Sequence, residues 1–385
     1  MQRRKLLQMA GTAALLPLLP FSISRASGFN GRRVILLELA GANDGLNTLV
    51  PYSDDRYYAL RPTIGLKQSQ LLKLNDNFGV NSALQKTMSL WDSGELAAIH
   101  GLGYPLPNRS HFKSIALWET GGDGSRSRRS GWTTHDVEHA YASNQLDAHG
   151  IALGGGMGIF SNAEGNWLSM STADQYTNLT TPEITNTAAN NNAMAMLLDN
   201  ARILQSSLDR LSTKIGRLRK RAHIPGGALS RQMTHAVNII NAGVDVPVIK
   251  IRHVGFDTHE NQLPRHKNVL SQAATAIDGL RQALVKSGEW QNTMLITYSE
   301  FGRRAAENRS GGTDHGTAAA HFIAGGSING GLYGDHPDLG VLEQGDLQHT
   351  MDYRAMYSSV LSNWLALPSD RFSEYSDHRL DGLFA

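Results

Sequence analysis

The sequence predicts an α/β protein in which a largely parallel sheet is covered by helices on both faces. Three observations carry this expectation. Compact apolar runs of strand length recur, at residues 33–40 (RVILLELA), 96–102 (LAAIHGL), 244–256 and 293–298 (TMLITY). Long helical patterns separate them, the clearest an amphipathic stretch over 264–287. Several of the runs lead into polar, glycine-rich segments, which is how open α/β sheets place sites at strand ends.

Taken in order, residues 1–26 open with Arg3, Arg4 and Lys5, continue apolar to Phe21 and end in Ser24, Arg25 and Ala26, a small-x-small cleavage pattern. This is the logic of an export signal, and the paired arginines resemble the twin-arginine type. Gly11, Pro17 and Pro20 break the apolar stretch, which is short for a bilayer span. No permanent membrane span is expected, and the partner is the twin-arginine export machinery, with delivery to the periplasm or beyond. Residues 27–385 then form one domain. A strand over 33–40 runs into GANDGLN, residues 41–47. A helix is expected over 81–90, a strand over 96–102, and a helix or strand-like turn over 112–119. Residues 121–131 read as a glycine-, serine- and arginine-rich loop, and 121–205 as a cap or insertion. Helices follow near 193–214 and 232–242, a strand over 244–256, the helix over 264–287, strands over 293–298 and 318–324 (AAAHFIA), and a helix over 353–365.

Composition excludes several classes. The chain has 385 residues, 41% of them hydrophobic, enough for a large core. The net charge of +2 includes four cations of the first 26 residues; without them 32 basic face 34 acidic residues, about −2. No concentrated basic surface points to nucleic acid. Cysteine is absent, so disulfides, thiolate catalysis and cysteine-held metals are excluded. Nitrogen and oxygen must supply any metal ligands, and 15 histidines are available.

The chemistry-bearing residues cluster after the apolar runs. Asp44 and Asn43 lie in GANDGLN; each suits a metal or an Asx-type turn equally. Ser110 and His111 lie in NRSHF, where the serine is either a helix N-cap or a nucleophile. Asp257 and His259, in GFDTHE, are spaced to share one face of an extended segment, and a carboxylate with an imidazole suits zinc, manganese or iron. Glu300 ends TMLITYSE, with Arg303 placed either to clamp an anionic ester or to pair with a nearby carboxylate. The sharpest signal is GGTDHG, residues 311–316, which sets Asp314 and His315 side by side among glycines. No G-x-S-x-G elbow is present.

The RRKLL start, GANDGLN, NRSHF, GFDTHENQ, YSEFGRRAAEN and GGTDHG together resemble a domain-of-unknown-function family of twin-arginine-exported bacterial proteins in the alkaline-phosphatase-like superfamily of phosphatases and sulfatases. The resemblance spans about residues 33–367. It implies a three-layer α/β/α sandwich and one or two divalent metal ions: zinc, manganese, calcium or iron. It matches Asp44, Asp257, His259, Asp314 and His315 to the metal ligands and Ser110 to the nucleophile. His111 and Arg303 are the further catalytic candidates; Asn43, Glu300, His336 and His349 are additional ligand candidates. The sulfatase signature is missing around Ser110, and a formylglycine made from cysteine is impossible. The expected activity is hydrolysis of phosphate or related esters, with an anionic small molecule as substrate. The alternative is a non-catalytic periplasmic or surface binding protein on the same scaffold.

Overall fold

The computed structural model describes residues 29–125, 128–141, 145–171, 192–378, 380 and 382–384. The export signal expected over residues 1–26 lies outside them, as does 172–191 within the expected cap. Among the described residues nine strands make the central sheet. They are β1 (Arg33–Ala40), β2 (Leu96–Gly103), β3 (Gly150–Leu153), β4 (Trp167–Met170), β5 (Val248–Val254), β6 (Thr293–Tyr298), β7 (Ala319–Gly325), β8 (Gly331–Tyr333) and β9 (Met351–Asp352). Their order is β8-β2-β7-β6-β1-β5-β3-β4, with β9 beside β2. All pairings are parallel except those of β7, which runs against both β2 and β6.

Strand β1 is central and buried along its whole length, which is why its run is apolar on both faces. Side chains alternate across it. Ile35, Leu37 and Leu39 enter one core, with Val237 and Ile240 of helix Ala228–Asn241 and Ala273 and Leu280 of helix Gln262–Ser287. Val34 and Leu36 enter the other, with Leu117 and Trp118 of helix α1 (His111–Thr120) and Met356 and Tyr357 of helix Tyr353–Ser359. Two cores on opposite faces make a three-layer α/β/α arrangement. Among the described residues no helix is long and apolar enough to cross a membrane.

Within the segment expected as a cap or insertion, 121–205, the described residues include two strands. These strands, β3 and β4, extend the central sheet beyond β5, and Ile151, Leu153 and Leu168 join the first core. Strands of four residues separated by glycine-rich turns carry too little periodicity to be seen beforehand.

His321 on β7 is wholly buried, edge-on to Trp118, with neither ring nitrogen hydrogen-bonded. Burial pushes its pKa down to about 3 from 6.5. Burial likewise holds His100 and His266 down at about 4. Between pH 6.5 and these folded values the unfolded chain binds more protons than the native one. Stability is therefore complete above pH 6.5 and falls on acidification. His321→Phe is expected to recover about 2 kcal/mol of the loss between pH 7 and 5. Urea denaturation of both proteins at the two pH values checks this, and an unchanged acid loss would contradict it.

Candidate metal centre

Strands β1, β5 and β6 end at one edge of the sheet. Antiparallel β7 begins at that same edge, and β2 leads from it into the 104–110 loop and α1. Five segments far apart in sequence are thus delivered to one place. His111 is the first residue of α1; Asp257 and His259 follow β5; Glu300 follows β6; Asp314 and His315 precede β7.

Two glycines let these segments close up. At Gly41 φ is +113°, and a Cβ would lie 2.4 Å from the Asp257 nitrogen. At Gly312 a Cβ would lie 2.3 Å from the carbonyl of His259. Backbone meets backbone in both places, which no side chain permits.

Three imidazoles converge through their Nε2 atoms. That of His315 lies 3.1 Å from Nε2 of His111 and 2.9 Å from Nε2 of His259. The Asp257 Oδ1 atom is 3.0 Å from His259 Nε2 and 3.5 Å from His315 Nε2, and Oδ2 is 3.9 Å from His111 Nε2. The opposite nitrogens all face acceptors. His315 Nδ1 is 3.0 Å from the Arg109 carbonyl, which can only accept, so Nδ1 carries the proton. His111 Nδ1 is 3.2 Å from Glu300 Oε1, and His259 Nδ1 is 3.5 Å from Asp314 Oδ1. In the neutral imidazoles this turns the bare Nε2 lone pairs toward one another and toward a carboxylate. The Arg303 guanidinium meets this grouping on one side, 2.6 Å from Asp257 Oδ1 and 3.5 Å from His259 Nε2, while the facing lone pairs of His111 and His315 call for a further cation.

Spacing agrees with that demand. Two imidazoles each about 2.1 Å from one ion hold their nitrogens about 3.0–3.4 Å apart, depending on the angle. His111, Asp257 and His315 offer atoms that all lie within 4.8 Å of one another. The residues therefore fit a divalent ion, with His111, His259, His315 and Asp257 as the donors.

The supports around these donors are specific. Glu300 accepts from the backbone N–H groups of Gly41 and Ala42 at 2.9 Å each and from the Ser299 hydroxyl at 3.0 Å. Its Oε1 also faces His111 Nδ1 at 3.2 Å, the position of a group that orients that ring. Asp314, expected as a metal ligand, sets its Oδ1 3.5 Å from His259 Nδ1, and Asn308 donates to it at 3.1 Å. Asn308 holds its carboxyl below 3.8, with burial opposing. At Asp257 burial works against the charge, yet Arg303 outweighs it and the pKa is lowered. Burial and the nearby Arg303 charge lower that of His315. Glu300→Gln is expected to weaken metal binding about 10–100-fold by freeing the His111 ring. Competition against a chelating dye measures it; an unchanged affinity would show that Glu300 does not orient the ligand.

Several expectations are corrected. Asp44 does not join the cluster. It is buried against Arg61, 2.6 Å from Nη1, accepts from Gln262 and caps the turn Gly45–Asn47 through Leu46 and Asn47. Arg303 is not a free anion clamp. It is buried and donates to the carbonyls of Gly41, Ala42, Phe256 and Thr313 and, at 2.6 Å, to Asp257. It ties the ends of β1 and β5 to the loop before β7. His111, expected beside the nucleophile as a catalytic group, stands within the histidine–aspartate cluster. Asn43 is buried and bonds His266 at 2.9 Å and Thr48 at 3.2 Å. His336 packs on Phe78 and His100, away from the cluster. His349 lines a cleft beside it. Ser110 caps α1 by position only: its hydroxyl makes no capping bond and the residue is exposed. Asn308, which sequence reasoning did not single out, lay in plain view within YSEFGRRAAEN.

The cleft measures about 610 Å³ and opens beside the cluster. Phe301 lines it and packs against the rings of His111 and His315 at 4.9 and 4.8 Å.

A family model described as "Protein of unknown function (DUF1501)" matches residues 103–367, from the end of β2 past the last donor. No curated protein matches the chain. Solved structures similar to it include Ps i-CgsB, 12% identical, with TM-score 0.43, covering 91% of this chain and 75% of that one. The C-terminal periplasmic domain of EcEptC from Escherichia coli, in complex with zinc, is 8% identical, with TM-score 0.39, covering 89% and 84%. A protein in the alkaline phosphatase superfamily from Vibrio parahaemolyticus is 10% identical, with TM-score 0.38, covering 81% and 64%.

Proposed function

We propose that this chain, which belongs to the DUF1501 family, is an exported metal-dependent hydrolase of phosphate or related esters. One observation carries the reading: three imidazole Nε2 atoms and the Asp257 carboxylate converge while the other nitrogen of each imidazole faces a fixed acceptor. A divalent ion at these donors supplies Lewis acidity toward the ester oxygen and lowers the pKa of a nearby hydroxyl. Three imidazoles favour zinc, manganese or iron over calcium, which prefers an all-oxygen set.

The chain's own residues supply the remainder. Ser110, exposed at the start of a ten-residue helix, has its hydroxyl uncommitted to capping. The free N–H groups of that helix end favour an anionic ester group beside it. Ser110 Oγ attacks phosphorus in line as the bond to the alcohol breaks, and its proton leaves with the alcohol. Water then adds its hydroxyl to phosphorus as the bond to Ser110 Oγ breaks, and its proton passes to that oxygen. Arg303 and Glu300 keep the donors in place throughout. The opening segment, with Arg3 and Arg4, supports delivery by the twin-arginine route.

The test begins with metal analysis of protein purified without chelators or a histidine tag. At least one divalent ion per chain is expected, together with hydrolysis of p-nitrophenyl phosphate or sulfate that chelation abolishes. Ser110→Ala is expected to keep the ion and lose turnover. Protein that takes up no ion from zinc, manganese, iron or calcium would sink the reading.

The Arg303–Asp257 pair favours a second reading, a binding protein that holds an anionic ester without turning it over. Ester binding without hydrolysis in the metal-loaded protein would select it.

A further inference from the structure

The cleft beside the metal centre has a chemistry of its own. Arg109 and Phe301 belong to both places: the Arg109 carbonyl fixes His315, and the Phe301 ring packs on two of the donors. A group attached to an ester at the metal centre therefore has this space to enter. About 610 Å³ is far more than an inorganic ester group needs and lies within the range of about 300–1,000 Å³ typical of organic ligands.

Charge excludes one class of occupant. Among the lining residues one cation, Arg109, stands against two carboxylates, Glu343 and Asp346. Arg109 is already paired with the buried Asp346. Burial holds His349 below its ordinary pKa of 6.5, so it adds no charge at neutral pH. A polyanion or a nucleoside polyphosphate would enter a wall that is net negative and has no unpaired arginine.

Hydrogen-bonding capacity excludes another. Asn108, Gln344 and Gln348 bring amides that both donate and accept, and Glu343 brings an acceptor. An alkyl chain would strip water from these groups and give nothing back. A hydroxyl, which also donates and accepts, matches them.

Backbone geometry singles out one of these residues. Leu342–Glu343 and Asp346–Leu347 form a short hairpin closed by Gln344 and Gly345, with φ of +53° and +86°. Such turns favour asparagine or glycine at the first position. A glutamine there sits in a disfavoured backbone region, the kind of local cost that persists where a side chain is needed. The residue lines the cleft.

We infer that the cleft seats the alcohol half of the substrate ester, that this alcohol is a neutral, hydroxyl-rich group such as a sugar or a polyol, and that Gln344 contacts it. The inference rests on the hydrolase reading for the ester and on the cleft itself for the alcohol.

The test reads the two separately. Saturation-transfer NMR on the full metal-loaded protein uses methyl glucoside, methyl galactoside and glycerol as probes, and none of them requires turnover. Transfer to at least one is expected, and the three arms distinguish a sugar from a simple polyol. Gln344→Gly relieves the turn and keeps the fold, so its melting temperature should stay level or rise while the transfer falls at least fivefold. In parallel, kcat/KM for glucose 6-phosphate is expected to exceed that for n-hexyl phosphate, of equal carbon count, at least tenfold, with Gln344→Gly acting mainly through KM. No transfer from any probe, or equal rates for the two esters, overturns the inference and leaves the hydrolase standing. Transfer without hydrolysis of any ester removes the hydrolase reading and, with it, the assignment of the cleft to an ester's alcohol.

Discussion

His315→Ala is expected to release the bound metal and lower ester hydrolysis by well over a hundredfold. His315 is the hub of the donor set: its Nε2 is within 3.5 Å of donor atoms on His111, His259 and Asp257 alike. Removing a group that only orients a ligand already costs about 10–100-fold in affinity, so removing the central ligand must cost more. Alanine leaves the Arg109 carbonyl to water, since the residue is part-exposed, so the fold should survive. Metal content after dialysis and kcat/KM on the same preparation check the result. Full occupancy in the variant would remove His315 from the coordination sphere. Ser110→Ala is the matched control, in which metal is retained and only turnover falls.

Arg61→Ala is expected to destabilise the protein by about 3–5 kcal/mol, the cost of stranding one member of a buried ion pair. The Arg61 and Asp44 side chains are 0% and 1% exposed. Arg61 also donates to the carbonyls of Ala305 and Arg304 and to Asn47. Alanine leaves the Asp44 charge buried with Gln262 and two backbone N–H groups. Arg61 and Gln262 hold the carboxyl below 3.8 although burial raises it. Replacing both partners, in Asp44→Asn with Arg61→Met, should cost less than Arg61→Ala alone, because no charge is stranded. Urea denaturation measures all three. A loss under about 1 kcal/mol in the single variant would mean that water reaches the pair.

The parts of the fold most legible in the sequence are those written by burial. Residues 33–40 and 293–298 match β1 and β6, because a strand covered on both faces must be apolar throughout. The helix expected over 264–287 is observed over Gln262–Ser287. The direction of β7 was not legible, since an apolar run reads the same in either sense. Most of the donors could be named from the segments after the strands, but their roles could not. That Asp44 is spent on Arg61 depends on a partner 17 residues away, and that His111 leans on Glu300 depends on one 189 residues away. Which ring nitrogen faces the site is decided by those partners, and no motif records them.

The order of the strands has a consequence for how the protein is made. The donors are spread from residue 111 to residue 315, and the sheet that aligns them includes β7, which ends at Gly325. No shorter stretch of nascent chain contains the complete set. The centre can close only after the synthesis machinery has passed that point and the distant pairings of β1 with β5 and β6 are in place, which are slow steps for a chain rich in long-range contacts. On the proposed function, metal capture follows the closing of these strands, and a loaded ion reports that β1, β5, β6 and β7 have found one another.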